Sequence, residues 1–151
     1  MLNTVLIEDS DDAAEKLTFL LTRYCADKIN LLQHTSSGAE GIEAIRTHRP
    51  ELVFLDIELG DMTAFEMLER IDPVDFQVIF TTSFDHYAIK AIRYRAVDYL
   101  QKPVGREELL AAIQRAENNP MRLAREQINQ MTQQVHAKTQ LPDKIALTTA
   151  D

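Results

Sequence analysis

Two adjacent acids, Glu8-Asp9, a single acid, Asp56, a hydroxyl cluster, Thr81-Thr82-Ser83, and a lysine before a proline, Lys102-Pro103, each follow a short apolar run of this chain. The runs are Leu2 to Ile7, Leu52 to Leu55, Val78 to Phe80 and Val97 to Leu100. If they are parallel strands, their carboxyl ends meet at one rim, where open α/β sheets place their ligands. Clustered carboxylates raise one another's pKa unless a cation neutralises them. An oxygen-only set, Glu8, Asp9 and Asp56, points to Mg²⁺, which keeps several waters and needs few protein groups. A carboxylate beside such an ion can attack phosphorus, and catalysis is then mainly positioning and charge neutralisation. The hydroxyl of Thr82 and the ammonium of Lys102 suit phosphoryl oxygens, one as a neutral donor and the other as a point charge. Each group also has an ordinary use, as a turn former, a helix cap or an exposed lysine. Their joint occurrence after four separate runs argues against four ordinary uses.

The elements that must position these groups alternate in type. Leu2 to Ile7, Ile29 to Gln33, the Leu52 run, Val78 to Phe80 and Val97 to Leu100 read as strands. Helical spacing predicts helices over 12–24 (Ala13, Leu17, Leu20 and Leu21 inward), 38–47 (Ala39, Ile42, Ala44, Ile45), 63–71, 85–94 (Ala88, Ala91, Ile92) and 106–117 (Leu109, Leu110, Ile113). Five strand–helix units in strict alternation predict an α/β fold, a parallel sheet with helices on both faces. Asn118-Asn119-Pro120 interrupts the last helix, because proline lacks the backbone donor. Helix then resumes with Met121, Ala124, Ile128, Met131 and Val135 at heptad spacing. That seam reads equally as a dimerising coiled coil or as an amphipathic helix folded back on its own domain.

Composition narrows the classes further. With 45% hydrophobic residues among 151, the chain can build one core of ordinary size. A lone cysteine, Cys25, forms no intramolecular disulfide, no basic-then-apolar leader opens the chain, and no apolar stretch is long enough to span a bilayer. The expected location is the cytoplasm. The net charge of −8, concentrated before residue 120 and without a basic cluster, makes this domain a poor nucleic-acid binder by itself.

Residues Ile7-Glu8-Asp9-Ser10, Phe54-Leu55-Asp56-Ile57, Phe80-Thr81-Thr82-Ser83 and Tyr99-Leu100-Gln101-Lys102-Pro103 resemble, in order and spacing, the four signature regions of response regulator receiver domains. The resemblance covers about residues 1–118. It implies a flavodoxin-like doubly wound sheet of five strands in the order 2-1-3-4-5, carrying a C-terminal helical extension. It also implies that Asp56 accepts a phosphoryl group from a phosphohistidine on a sensor histidine kinase. Glu8, Asp9, Asp56 and the backbone carbonyl of Glu58 would bind Mg²⁺, with Lys102 and Thr82 on the phosphoryl oxygens. Ser83 takes the small-residue position, and the peptide before Pro103 is expected to be cis. Glu8 departs from the commoner Asp, and its longer arm could reach the metal through water.

The same resemblance makes Thr82 and Tyr99 a switch: the phosphoryl group draws the hydroxyl inward and the aromatic ring fills the space behind it. The output would be a homodimer through the face of the 85–94 helix, the 97–100 strand and the 106–117 helix. Lys90, Arg93, Arg95, Asp98, Glu107 and Glu108 supply charge on that face, and the 121–135 heptad helix could contribute. The stretch from Phe80 to Ile92 and the residues from Leu141 to Asp151 resemble receivers attached to LytTR-type DNA-binding domains. The expected organisation is a receiver over 1–118, a helical linker over 119–140, and over 141–151 the start of a truncated output domain, disordered or strand-swapped, through which alone DNA would be bound. Such a protein is a phosphoacceptor with at most slow self-dephosphorylation, not an enzyme. The alternatives are a receiver regulated by protein binding and, remotely, a haloacid-dehalogenase-like phosphohydrolase, whose nucleophile follows the first strand rather than the third.

Overall fold

The computed structural model describes residues 1–71, 73–83, 96–118 and 132–133. Five strands, β1 (Leu2–Ile7), β2 (Ile29–Thr35), β3 (Leu52–Asp56), β4 (Gln77–Thr82) and β5 (Asp98–Gln101), form one parallel sheet in the order β2-β1-β3-β4-β5. The helices among the described residues are α1 (Asp11–Tyr24), α2 (Gly38–His48), α3 (Ala64–Glu69) and α4 (Arg106–Asn118). This is the flavodoxin-like doubly wound order predicted, with the strand order reversing between β1 and β3. The expected 85–94 helix, the tail 141–151 and all of the heptad segment but residues 132–133 lie outside the described residues.

Successive strand residues point to opposite faces, and the core divides accordingly. Val5, Ile7, Val53, Leu55, Val78 and Phe80 pack with Ile42 and Ile45 of α2 and Phe65, Met67 and Leu68 of α3. Leu6, Leu52, Phe54, Ile79 and Leu100 pack with Leu17 and Leu21 of α1 and Leu109, Ala112 and Ile113 of α4. Covered on both faces, β3 is buried at every residue, as parallel strands in such sheets are.

Local chemistry sets the helix starts. The Ser10 hydroxyl accepts the Ala13 N–H at 3.2 Å and begins α1, whose first turn carries Asp11 and Asp12 where the helix dipole favours negative charge. Thr63 and Glu66 form a reciprocal capping box that begins α3 at Ala64. Two helix faces differ from expectation. In α1 the buried stripe is Ala14, Leu17 and Leu21 with Leu20 partly buried against the same core, whereas Ala13 lies half-buried one stripe over, near the turn after β5. In α2, Ala39 is exposed and the inward face begins at Gly38 and Gly41. Among the described residues, no helix is long and apolar enough to cross a membrane.

Candidate functional site

Strand register brings the reactive side chains together. Pairing of β1 with β3 ends at Ile7 opposite Leu55, so the next residues, Glu8 and Asp56, come out side by side. Asp56 is itself opposite Thr81 on β4, and Thr82 is opposite Gln101 on β5. The Lys102 N–H then donates to the Thr82 carbonyl at 2.7 Å, which extends the ladder by one bond and fixes where the lysine leaves the sheet. The Lys102-Pro103 peptide is cis, as expected.

One carboxylate oxygen from each of Glu8, Asp9 and Asp56 lies within 4.8 Å of the others, a set that fits a hard divalent cation. Glu8 and Asp56 are 2% and 4% exposed, whereas Asp9 faces solvent. Lys102 Nζ stands between the two buried acids, 2.7 Å from Glu8 Oε1 and 3.0 Å from Asp56 Oδ2. Burial pushes the Asp56 carboxyl up to about 8, with the adjacent Glu8 acting in the same direction and Lys102 opposing. For Lys102, burial lowers the pKa, but the carboxylates of Glu8 and Asp56 outweigh it, so the ammonium is held above its usual range. An acid driven toward its neutral form by burial and a neighbouring acid would be drawn back to its ionised form by a bound cation.

The loop after β3 completes the rim. The Glu58 N–H donates to Asp56 Oδ1 at 3.3 Å, and Gly60 turns the chain with φ of 84°, a conformation that favours glycine. Bonds from Leu59 N–H to the Met62 carbonyl and from Ala64 N–H to the Ile57 carbonyl close the loop without using the Glu58 carbonyl, the predicted metal ligand. Thr82 is 1% exposed and lies two residues beyond Phe80, so it shares a sheet face with Tyr99, which is opposite Phe80. The Tyr99 ring stacks on Phe80 at 5.2 Å, and Phe80 meets Phe65 edge-on at 5.1 Å. Ser83 is exposed. Beside Lys102, a largely apolar cavity of about 240 Å³ opens between α1 and residues 102–104, with the unpartnered Thr81 hydroxyl among its lining groups.

Two supporting residues escape a reading of strand ends. His34 Nε2 lies 2.9 Å from the Glu8 carbonyl, which can only accept, so the ring nitrogen carries the proton and ties the β1–α1 turn to the edge strand. The Asp61 carboxylate accepts the Gly38 N–H at 2.9 Å and the Ala39 N–H at 3.1 Å, joining the loop after β3 to the start of α2. Slight burial raises the Asp61 pKa, but the backbone amides of Gly38, Ala39, Asp61 and Met62 prevail and hold it below the usual carboxylate range. One expected surface charge is not at the surface. Asp98 is 9% exposed and is taken up within the chain by Arg115 and by the Tyr99 N–H at 2.8 Å. Of its proposed companions, Glu107 and Glu108 are exposed, and Lys90, Arg93 and Arg95 lie outside the described residues.

A doubly wound α/β sheet with an acidic, lysine-bridged cluster at its carboxyl edge defines the class of this protein. The response regulator receiver domain family matches residues 4–114, and the chain belongs to that family. A response regulatory protein of Vibrio cholerae is 37% identical over 76% of this chain and 48% of its own length. The transcriptional regulatory protein BtsR of Salmonella typhimurium is 34% identical over 76% and 48%. The sensory transduction protein LytT of Enterococcus faecalis is 29% identical over the same shares. The chain thus spans about half the length of the curated relatives it matches. Among solved structures, the NarL receiver of Mycobacterium tuberculosis superposes with a TM-score of 0.67 at 20% identity, covering 78% of this chain and 97% of its own, and supports the fold. A LuxR-family DNA-binding response regulator of Staphylococcus aureus gives 0.64 at 25% identity, covering 78% and 100%.

Proposed function

We infer that the chain is the phosphoacceptor half of a two-component response regulator, with Asp56 as acceptor and a sensor histidine kinase as donor. The observation that carries this reading is the convergence of Asp56, Glu8, Asp9 and Lys102 within one rim of a receiver fold. An Asp56 oxygen attacks phosphorus in line with the donor imidazole; the P–O bond forms, the P–N bond breaks, and the electron pair stays on the imidazole nitrogen. Mg²⁺, held by Glu8, Asp9, Asp56 and the Glu58 carbonyl, supplies charge neutralisation when bound. Lys102 places its ammonium on a phosphoryl oxygen, and the Thr82 hydroxyl donates to another. Residues 56 and 102 thereby hold the product as an acyl phosphate that water cleaves slowly, so the chain accepts one group rather than turning over a substrate. Asp56 stands at the end of β3, not of β1, which sets it apart from the dehalogenase-like phosphohydrolases.

Capture of the Thr82 hydroxyl would open space on the face it shares with Tyr99, and movement of that ring is the proposed route to dimerisation. The BtsR and LytT relatives, both about twice as long as the matched segment, support a LytTR-type transcription output carried by further chain. Intact mass after incubation with acetyl phosphate and Mg²⁺ tests the acceptor: one phosphoryl group is expected on the wild type and none on Asp56→Asn. No wild-type gain, or a gain that survives the substitution, overturns the reading. Sedimentation with beryllofluoride tests the output, and an unchanged coefficient counts against phosphorylation-driven dimerisation.

A further inference from the structure

The three carboxylates of the rim are not equally open to a cation. Asp9 is exposed and has no donor among the described residues. Glu8 and Asp56 have all four carboxylate oxygens engaged within the chain. Glu8 Oε2 accepts the Ser10 N–H at 3.1 Å and Asp56 Oδ1 the Glu58 N–H at 3.3 Å, while Lys102 Nζ takes Glu8 Oε1 and Asp56 Oδ2. The ammonium occupies the position between the buried acids, and its own side chain is 17% exposed. The Glu8 arm is what makes the bridge. A carboxylate retracted by one methylene, about 1.5 Å, would move the 2.7 Å contact beyond hydrogen-bonding range while Lys102 stays anchored on Asp56.

We propose that Glu8 acts as a positioning residue that latches Lys102 across the cation site, so that a divalent ion must displace the chain's own ammonium before that ammonium can serve a phosphoryl oxygen. This rests on the magnesium reading of the rim and adds an order to it. The ion meets Asp9 first, takes Glu8 and Asp56 from Lys102, and frees the lysine where the phosphoryl group arrives. Glutamate at position 8 thus lowers cation affinity and couples occupancy of the cation site to readiness of the phosphoryl site. The two sites cannot be filled independently.

The test is a double-mutant cycle read by calorimetric titration with Mg²⁺ alone, in which coupled residues depart from additivity. Glu8→Asp is expected to bind Mg²⁺ about five-fold more tightly than the wild type, and the same change in a Lys102→Met background to alter affinity by less than about two-fold. A Glu8→Asp affinity equal to or below that of the wild type overturns the latch, as does a full gain that persists without Lys102. If a variant fails to fold, the ¹⁵Nζ ammonium resonance of Lys102 in the wild type decides. It is expected to show slow proton exchange without metal and to shift and exchange faster on saturation with Mg²⁺; a resonance that Mg²⁺ leaves unchanged overturns the latch. Mg²⁺ binding to the wild type that Glu8→Asp does not tighten removes the latch alone, whereas no Mg²⁺ binding to either form removes the metal reading and the latch together.

Discussion

Asp56 ends β3 and Asp61 lies five residues on in the loop that follows, and their carboxyl groups are driven in opposite directions. Asp56 is buried beside another acid, and its stabilising partners are one lysine and one long amide contact. Asp61 lies at the surface and receives two short amide bonds from the start of α2. The contrast separates two uses of one side chain. Donors arranged around Asp61 satisfy the ionised form and turn it into a joint between loop and helix. Around Asp56 each carboxylate oxygen has a partner within the chain, yet burial and the neighbouring Glu8 outweigh those partners and hold the acid toward its neutral form.

The contrast can be broken at either end. The largest effect is expected from Asp56→Asn, which removes a buried acid held toward its neutral form. In metal-free protein near neutral pH it should raise the unfolding free energy by about 2 kcal/mol, measured by urea denaturation, and should abolish stabilisation by Mg²⁺. A loss of stability would mean that the Lys102 contact outweighs burial. Asp61→Ala should act oppositely and cost about 1 kcal/mol, the usual worth of a helix cap, with Mg²⁺ binding retained. That difference should depend on pH in a fixed sense. Because the Asp61 pKa is lowered on folding, its contribution is complete above the ordinary carboxylate range and is lost as pH falls through the lowered value. Denaturation of wild type and Asp61→Ala at several pH values should therefore converge in acid; parallel curves would assign the effect to packing instead. The smallest change is expected for Thr63→Ala, which opens the α3 capping box on the same loop and should cost about 0.5 kcal/mol, leaving phosphorylation intact.

Most of the rim was legible in the sequence because strand ends are local features. Glu8, Asp56, Thr82 and Lys102 each close or follow an apolar run, and a parallel sheet brings such ends together whatever separates them along the chain. The order β2-β1-β3-β4-β5 followed from the family resemblance and is the order found. What escaped was non-local or one residue out of phase. Asp61 caps a helix that begins 23 residues earlier, so the usual cap signal beside the helix is absent. His34 reaches Glu8 only because β2 pairs with β1, and nothing in its neighbours marks it. In α1, Ala13 and Ala14 both fit the helical period, and packing against the sheet chose the second. Asp98 counts by residue type as a surface charge, yet Arg115 on α4 and the Tyr99 N–H take up its carboxylate. The shared hold of Glu8 and Asp56 on Lys102 depends on side-chain reach, which spacing does not encode.

The proposed carrier of the phosphoryl group is Asp56. Borohydride reduction of the acyl phosphate formed with acetyl phosphate and Mg²⁺, followed by peptide mapping, tests it at the residue itself. Conversion of position 56 alone to the reduced side chain, dependent on Mg²⁺, is the predicted result. An unmodified Asp56, or reduction at another acid of the rim, would contradict the account.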